Sequence, residues 1–163
     1  MHEVIVFVHV ISAITWLGGM LFLAMVMVPL GRRNPDFGFG AVRMAAEKFV
    51  PVAWASMAVL AGSGAYLAWT QWGIRPDTFF TGGDWHFLDY LQRKTGIFVV
   101  VIVLSAAHDF WLGPRLMARL EAARSTGSPS PRGPARLFVQ WAARINLLLV
   151  IWIVAFAVWM TRP

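Results

Sequence analysis

The sequence predicts an all-α integral membrane protein, a four-helix up-down bundle. Of its 163 residues, 58% are hydrophobic and 13% are charged, whereas soluble domains average about 45–50% apolar and about 25% charged residues. Four apolar runs are each long enough for a helix to cross a bilayer core of about 30 Å, which takes about 20 residues. The basic residues lie at the ends of these runs, so a membrane explains the net charge of +6 better than a nucleic-acid partner does.

The residue types that are missing exclude several kinds of site. There are no cysteines, which excludes disulfides, iron–sulfur clusters, thiolate zinc, a cysteine nucleophile and covalently attached c-type haem. The sequence also contains no nucleophile elbow, phosphate-binding glycine loop or H-E-x-x-H motif, so it predicts no hydrolytic site. A metal ion would have to be held by His, Met, Lys or carboxylate side chains.

The first two spans are predicted at about 4–30 and 49–69. The first has His9 and Thr15 as its most polar members. It is too long for a signal peptide and lacks a basic leading segment, so we interpret it as a span. The second contains the small-residue run 61–65, which lets a neighbouring backbone or a flat macrocycle approach closely.

The last two spans are predicted at about 91–112 and 137–160. The third contains Lys94 and His108. Glycine- and proline-rich segments separate the spans, and the segment 125–134 has the low complexity of a flexible cytoplasmic loop. The sequence shows no internal repeat, and the whole of 1–163 is interpreted as one membrane domain.

The distribution of Lys and Arg predicts the orientation. Four basic residues follow the first span and five follow the third, against three between the second and the third. Because basic residues favour the cytoplasmic side, we expect both termini on the periplasmic side of a bacterial inner membrane.

Polar side chains inside a membrane are costly, so each is a candidate site residue. Spans one and three run in the same direction, so their depths can be compared. Lys94 and His9 fall in the outer half, and His108 lies roughly 21 Å deeper than Lys94 at 1.5 Å per residue. We therefore expect that His9 and His108 do not share one metal ion. The sequence predicts two polar clusters. The outer cluster consists of His9, Lys94, His86 and His2, and the inner cluster consists of His108, Asp109, Arg144 and Asn146.

The outer cluster is typical of a site for b-type haem. Our main hypothesis is an electron-transfer or redox protein in which His9 ligates iron, with Trp16 at the edge of the macrocycle. Lys94 or His86 would supply the opposite face, or that face would stay open to a small ligand. His108, with Arg144 and Asn146, would bind a second macrocycle or a quinone. The methionines lie on several helix faces and are interpreted as packing residues.

Short motifs resemble two related families. The stretch from His9 to Gly19, with Trp16, Gly18 and Gly19, is similar to the first helix of the HemJ-type protoporphyrinogen oxidases and of the CopD-like copper-resistance membrane domain. The start of span three at Tyr90–Lys94 resembles the HemJ pattern, and the stretch 107–115 looks more like CopD. Arg144 and Asn146 are similar to an Arg/Asn pair that opens the last span.

The resemblance implies haem b with His9 as ligand and Lys94 as a second essential residue, or copper handling as the alternative. Two further functions stay open as alternatives, a HemJ-like oxidase and a non-catalytic subunit of a respiratory or photosynthetic complex. The sequence does not decide whether the protein is an enzyme. The expected partners are the lipid bilayer, a quinone or redox protein, and further copies or subunits, and no nucleic acid.

Overall fold

The computed structural model describes residues 1–81, 86–126 and 134–160. Within these ranges all regular structure is helical, and four helices are long and apolar enough to cross a membrane. They are His2–Arg33, Gly40–Trp72, His86–Ala123 and Trp141–Trp159. The predicted all-α membrane fold with four spans is confirmed, and the side on which the termini lie stays a prediction.

The elements follow one another with short breaks. In chain order they are α1 His2–Phe22, the π-helical segment π1 Leu23–Met27, α2 Val28–Arg33, α3 Pro35–Trp72, α4 Pro76–Thr81, α5 His86–Ala106, the π-helical segment π2 Ala107–Leu112, α6 Gly113–Ser125 and α7 Pro134–Met160. The chain divides into two compact units, Met1–Asp84 and Trp85–Pro163. In the first unit α1 and α2 pack against α3, and in the second α5 packs against α7.

The predicted separators end the helices for identifiable reasons. Asn34 leaves the helical conformation, with φ −125° and ψ 78°, and Pro35 then begins α3. Gly73 ends α3 with φ 64°, the left-handed conformation that glycine adopts without a steric penalty. The predicted cytoplasmic loop 125–134 lies between α6 and α7, and its interior, 127–133, is outside the described residues.

The second span continues further as helix than the apolar pattern predicts. α3 begins at Pro35, well before the predicted start at 49, and an ion pair between Arg43 and Glu47, four residues apart, spans 2.6 Å on its early turns. The membrane-length part, Gly40–Trp72, has 33 residues, or about 50 Å of helix against about 30 Å of hydrocarbon. The helix therefore extends past the bilayer, where charged residues maintain it.

Each π-helical segment ends two positions before a proline. The N–H of Val28 bonds to the carbonyl of Leu23, five residues back, and Pro29 follows. The N–H of Gly113 bonds to the carbonyl of His108 in the same way, and Pro114 follows. Proline has no N–H and its ring excludes the carbonyl four residues back, so the preceding turn widens. A Cβ atom on Gly113 would lie 2.8 Å from the His108 carbonyl oxygen, so this turn needs glycine.

The interior of each unit is small and the outer faces are apolar. The first unit buries aromatic, aliphatic and hydroxyl side chains, among them Trp16, Met57 and Ser56. The second buries Val101, Val150 and Ser105. Large apolar side chains that lie exposed on the helices are what lipid contact requires, because acyl chains take the place of a protein interior.

Candidate functional site

Two imidazoles on α1 lie against polar side chains on α3. His9 Nδ1 is 2.7 Å from Ser63 Oγ, and His2 Nε2 is 2.6 Å from the side-chain nitrogen of Gln71. The later residue on α1, His9, contacts the earlier residue on α3, Ser63, so the two helices are antiparallel. The same helix register accounts for both contacts. We call this contact surface the α1–α3 interface.

The hydrogen bonds of Ser63 assign the tautomer of His9. A hydroxyl has one hydrogen to donate, and Ser63 Oγ donates it to the carbonyl oxygen of Val59 at 2.5 Å. His9 Nδ1 must therefore carry a hydrogen and donate it to Ser63. In the neutral ring this leaves the lone pair on Nε2, which is the form in which histidine binds a metal ion, with its other nitrogen held by an outer partner.

The backbone of α3 comes close to the His9 ring. A Cβ atom on Gly64 would lie 3.5 Å from His9 Cε1, which is ordinary van der Waals contact. A Cβ atom on Gly62 would meet nothing within 4 Å. Of these two glycines, Gly64 is therefore the one that faces the imidazole, and the two helices are closely packed at this level.

A buried tryptophan and a buried methionine lie deeper along the same interface. Trp16 comes seven residues after His9, on the same face of α1, and is 3% exposed. Met57 comes seven residues before Gly64, on the same face of α3, and is 2% exposed. The antiparallel register brings Trp16 to the turn of α3 that holds Met57.

The methionines are not equivalent in the structure. Met20 lies eleven residues after His9, within about 20° of the same helix face, and is half-buried. Met25 and Met44 are 70% and 62% exposed. The structure thus places Met20 and Met57 toward the interior of the first unit, a distinction that the sequence did not predict.

The outer residues of the second unit form a short stripe on α5. His86 begins α5 and is exposed, and its ring meets that of Tyr90 edge-on, with the ring centres 4.7 Å apart. Lys94 follows one turn after Tyr90 and is half-buried. His9 belongs to the first unit and Lys94 and His86 to the second, so the shared iron site remains a prediction.

The inner residues of the second unit form two separate contacts. His108 Nδ1 lies 2.9 Å from the carboxylate of Asp109. Asn146 donates from its side-chain nitrogen to Ser105 Oγ at 3.0 Å. Arg144 points elsewhere and lies over the ring of Trp141, 5.3 Å from its centre.

Sequence reasoning missed the side chains that hold the candidate residues in place. Ser63 was interpreted only as one of a run of small residues, and Ser105 was not predicted to be a hydrogen-bond partner. The signal was present in both cases, because a hydroxyl inside an apolar span pairs with an intramembrane imidazole or amide, here His9 and Asn146. Within the described ranges, no three His, Asp or Glu side chains come together as a metal centre.

Comparison with known proteins identifies one family. The model of the family described as copper resistance protein D (CopD) matches residues 43–160. A protein of Aquifex aeolicus (strain VF5), described as an uncharacterized protein, is 27% identical over 162 residues, which cover 97% of this chain and 94% of that protein. No solved structure matches the chain.

Proposed function

This chain belongs to the copper resistance protein D family, and from that premise we propose that it is a copper-handling membrane protein that carries Cu(I) along its α1–α3 interface. Copper is cargo in this proposal. The predicted copper alternative is the one that the family description favours, whereas nothing found here favours the predicted haem, electron-transport and oxidoreductase roles.

The observation that carries the proposal is the sequence of donor groups along the α1–α3 interface. Imidazole nitrogen lies at the outer levels, at His2 and His9, and thioether sulfur lies deeper, at Met57 and Met20. Thioether ligands are soft and select Cu(I), and imidazole also suits copper. An ion moving along this interface would therefore meet suitable donors at successive depths.

His9 is the first ligand inside the membrane. Its Nδ1 is held by Ser63, so Cu(I) would bind at Nε2. An imidazole fixed by an outer hydrogen bond keeps one ring orientation and is the better ligand for it.

Trp16 and Met57 form the next level. Seven residues of helix separate His9 from Trp16, a rise of about 10 Å. The face of a tryptophan attracts a cation within about 6 Å of its ring centre, and the sulfur of Met57 supplies a soft donor in the facing turn. Both side chains are buried, so an ion at this level would be shielded from water.

Metal analysis separates the two functions. The full chain, purified in mild detergent from cells supplied with copper and with haem precursor, should retain copper in a constant ratio to protein and show no Soret band. Iron at a constant ratio, together with a Soret band that shifts on reduction with dithionite, would contradict the proposal and favour the haem hypothesis.

A further inference from the structure

A polar contact inside the second unit leaves one buried acceptor unsatisfied. The side-chain nitrogen of Asn146 donates to Ser105 Oγ at 3.0 Å, and Ser105 is only 6% exposed. The side-chain oxygen of Asn146 is buried as well, and no described residue donates a hydrogen bond to it. An unsatisfied buried acceptor is destabilising, so a ligand that donates to it is favoured.

The burial of this oxygen limits what the ligand can be. The atom is shielded from the outer surface of the chain, so neither a lipid headgroup nor a second copy of the protein reaches it. A molecule that fits among packed side chains must be very small. Water meets this condition. If the oxygen and nitrogen of the Asn146 side-chain amide were exchanged, an unsatisfied donor would replace the unsatisfied acceptor, and water pairs with a donor as well.

His108 supplies a second acceptor on the same side of the helix. It lies three residues after Ser105, a spacing that makes two helical residues neighbours. Its Nδ1 hydrogen is directed to Asp109, so the neutral ring presents a lone pair at Nε2. Two acceptors cannot bond to each other, whereas a water molecule has two hydrogens to donate.

We propose that Asn146, Ser105 and His108 form a water-binding site inside the second unit, reached from the end of the apolar span of α7 at which Trp141 lies. Asn146 comes five residues after Trp141, where the apolar span of α7 begins, or about 7.5 Å along the helix. Arg144 does not block the way by pairing with the site, because its guanidinium lies over Trp141. The proposal does not depend on copper binding.

Such a site would give His108 contact with the aqueous phase. Intramembrane imidazoles that meet water take part in proton relays. The His108 side chain is 36% exposed at the surface of the chain, and water donating to Nε2 would hydrate it from the interior. The site is therefore a place where the interior of the second unit exchanges with solvent.

The absence of cysteine makes the site testable by thiol oxidation. Ser105→Cys and Ile145→Cys would be compared in the full chain in nanodiscs, with hydrogen peroxide, which is scarcely larger than water, supplied on both faces to oxidise the thiol. Ile145 lies beside Asn146 and so at the same depth, but it is 46% exposed in the chain against 6% for Ser105. We nevertheless expect Ser105→Cys to react at least about tenfold faster, because only a hydrated thiolate reacts and lipid suppresses its formation at Ile145.

Adding Asn146→Leu to Ser105→Cys should abolish this fast oxidation, since the polar partner of the water is then gone. Oxidation of Ile145→Cys as fast as Ser105→Cys would overturn the proposal. A measurement on the unmodified chain avoids any effect of substitution on folding: the side-chain amide of Asn146 should show magnetisation transfer from water in bilayer NMR spectra. Transfer to the exposed amide of Gln71 with none to Asn146 would also overturn it.

Discussion

Replacing His9 with alanine is expected to lower the Cu(I) affinity of the full chain by more than about 100-fold, because loss of an outer-shell partner alone typically costs roughly 10–100-fold in metal affinity. His9 is the imidazole inside the span that α3 holds in a single orientation, through the 2.7 Å contact with Ser63. The affinity would be measured in nanodiscs by competition with a Cu(I) chelator.

Two further variants make this result specific. Ser63→Ala keeps the imidazole but removes its outer hydrogen bond, so we expect an intermediate loss of about tenfold. His86→Ala removes an exposed imidazole of the second unit and should leave the affinity unchanged. The interpretation fails if His9→Ala binds Cu(I) as tightly as the unmodified chain.

Replacing Met57 with leucine is expected to slow Cu(I) movement into vesicles by about tenfold. This is the lower end of the roughly 10–100-fold loss in affinity or activity that follows when a residue supporting a metal site is changed. The exchange nearly conserves side-chain volume, so the fold should tolerate it, but it removes the soft sulfur beside Trp16. The accumulation of Cu(I) would be followed with a chelator trapped inside proteoliposomes.

Met44→Leu is the matched control for Met57→Leu, because Met44 is 62% exposed whereas Met57 is 2% exposed. It should leave the transport rate unchanged. Affinity at His9 should also be unaffected by Met57→Leu, since the two residues lie about two helical turns apart along the interface. Equal losses in both methionine variants would show that the position of Met57 has no special role.

The four spans could be predicted from the sequence because hydrocarbon imposes one dominant requirement, a continuous apolar run of sufficient length. The same requirement does not set where a helix ends in water. The ion pair of Arg43 with Glu47 maintains α3 well before the apolar run begins, and such local stabilisation does not show in hydrophobicity. The ends of the helices were therefore the least predictable part of the fold.

The π-helical segments illustrate a signal that was present but not interpreted. Pro29 and Pro114 each follow such a segment, and both positions are visible in the sequence. Proline in a span allows a kink, a widened turn or a simple helix end. Which of these forms depends on the carbonyl that accepts a hydrogen bond from the N–H of the residue before the proline. Here the acceptors are the carbonyls of Leu23 and His108.

The candidate site was only half predictable. His9 was identified because an imidazole inside an apolar run is costly and needs a reason. Its partner Ser63 required the register of α1 against α3, which no pattern within one helix provides. The same register separates buried Met57 from exposed Met44 and brings Gly64 against the imidazole.

The measurement that tests the account most directly is the copper K-edge absorption spectrum of the full chain loaded with Cu(I). Copper carried along the α1–α3 interface should show both the multiple scattering of an imidazole and a sulfur shell. His9→Ala should weaken the first feature, because only His2 then supplies an imidazole, and Met57→Leu should weaken the second. A spectrum in which the imidazole feature is undiminished in His9→Ala, or in which sulfur is absent from the unmodified chain, would contradict the proposed path of the ion.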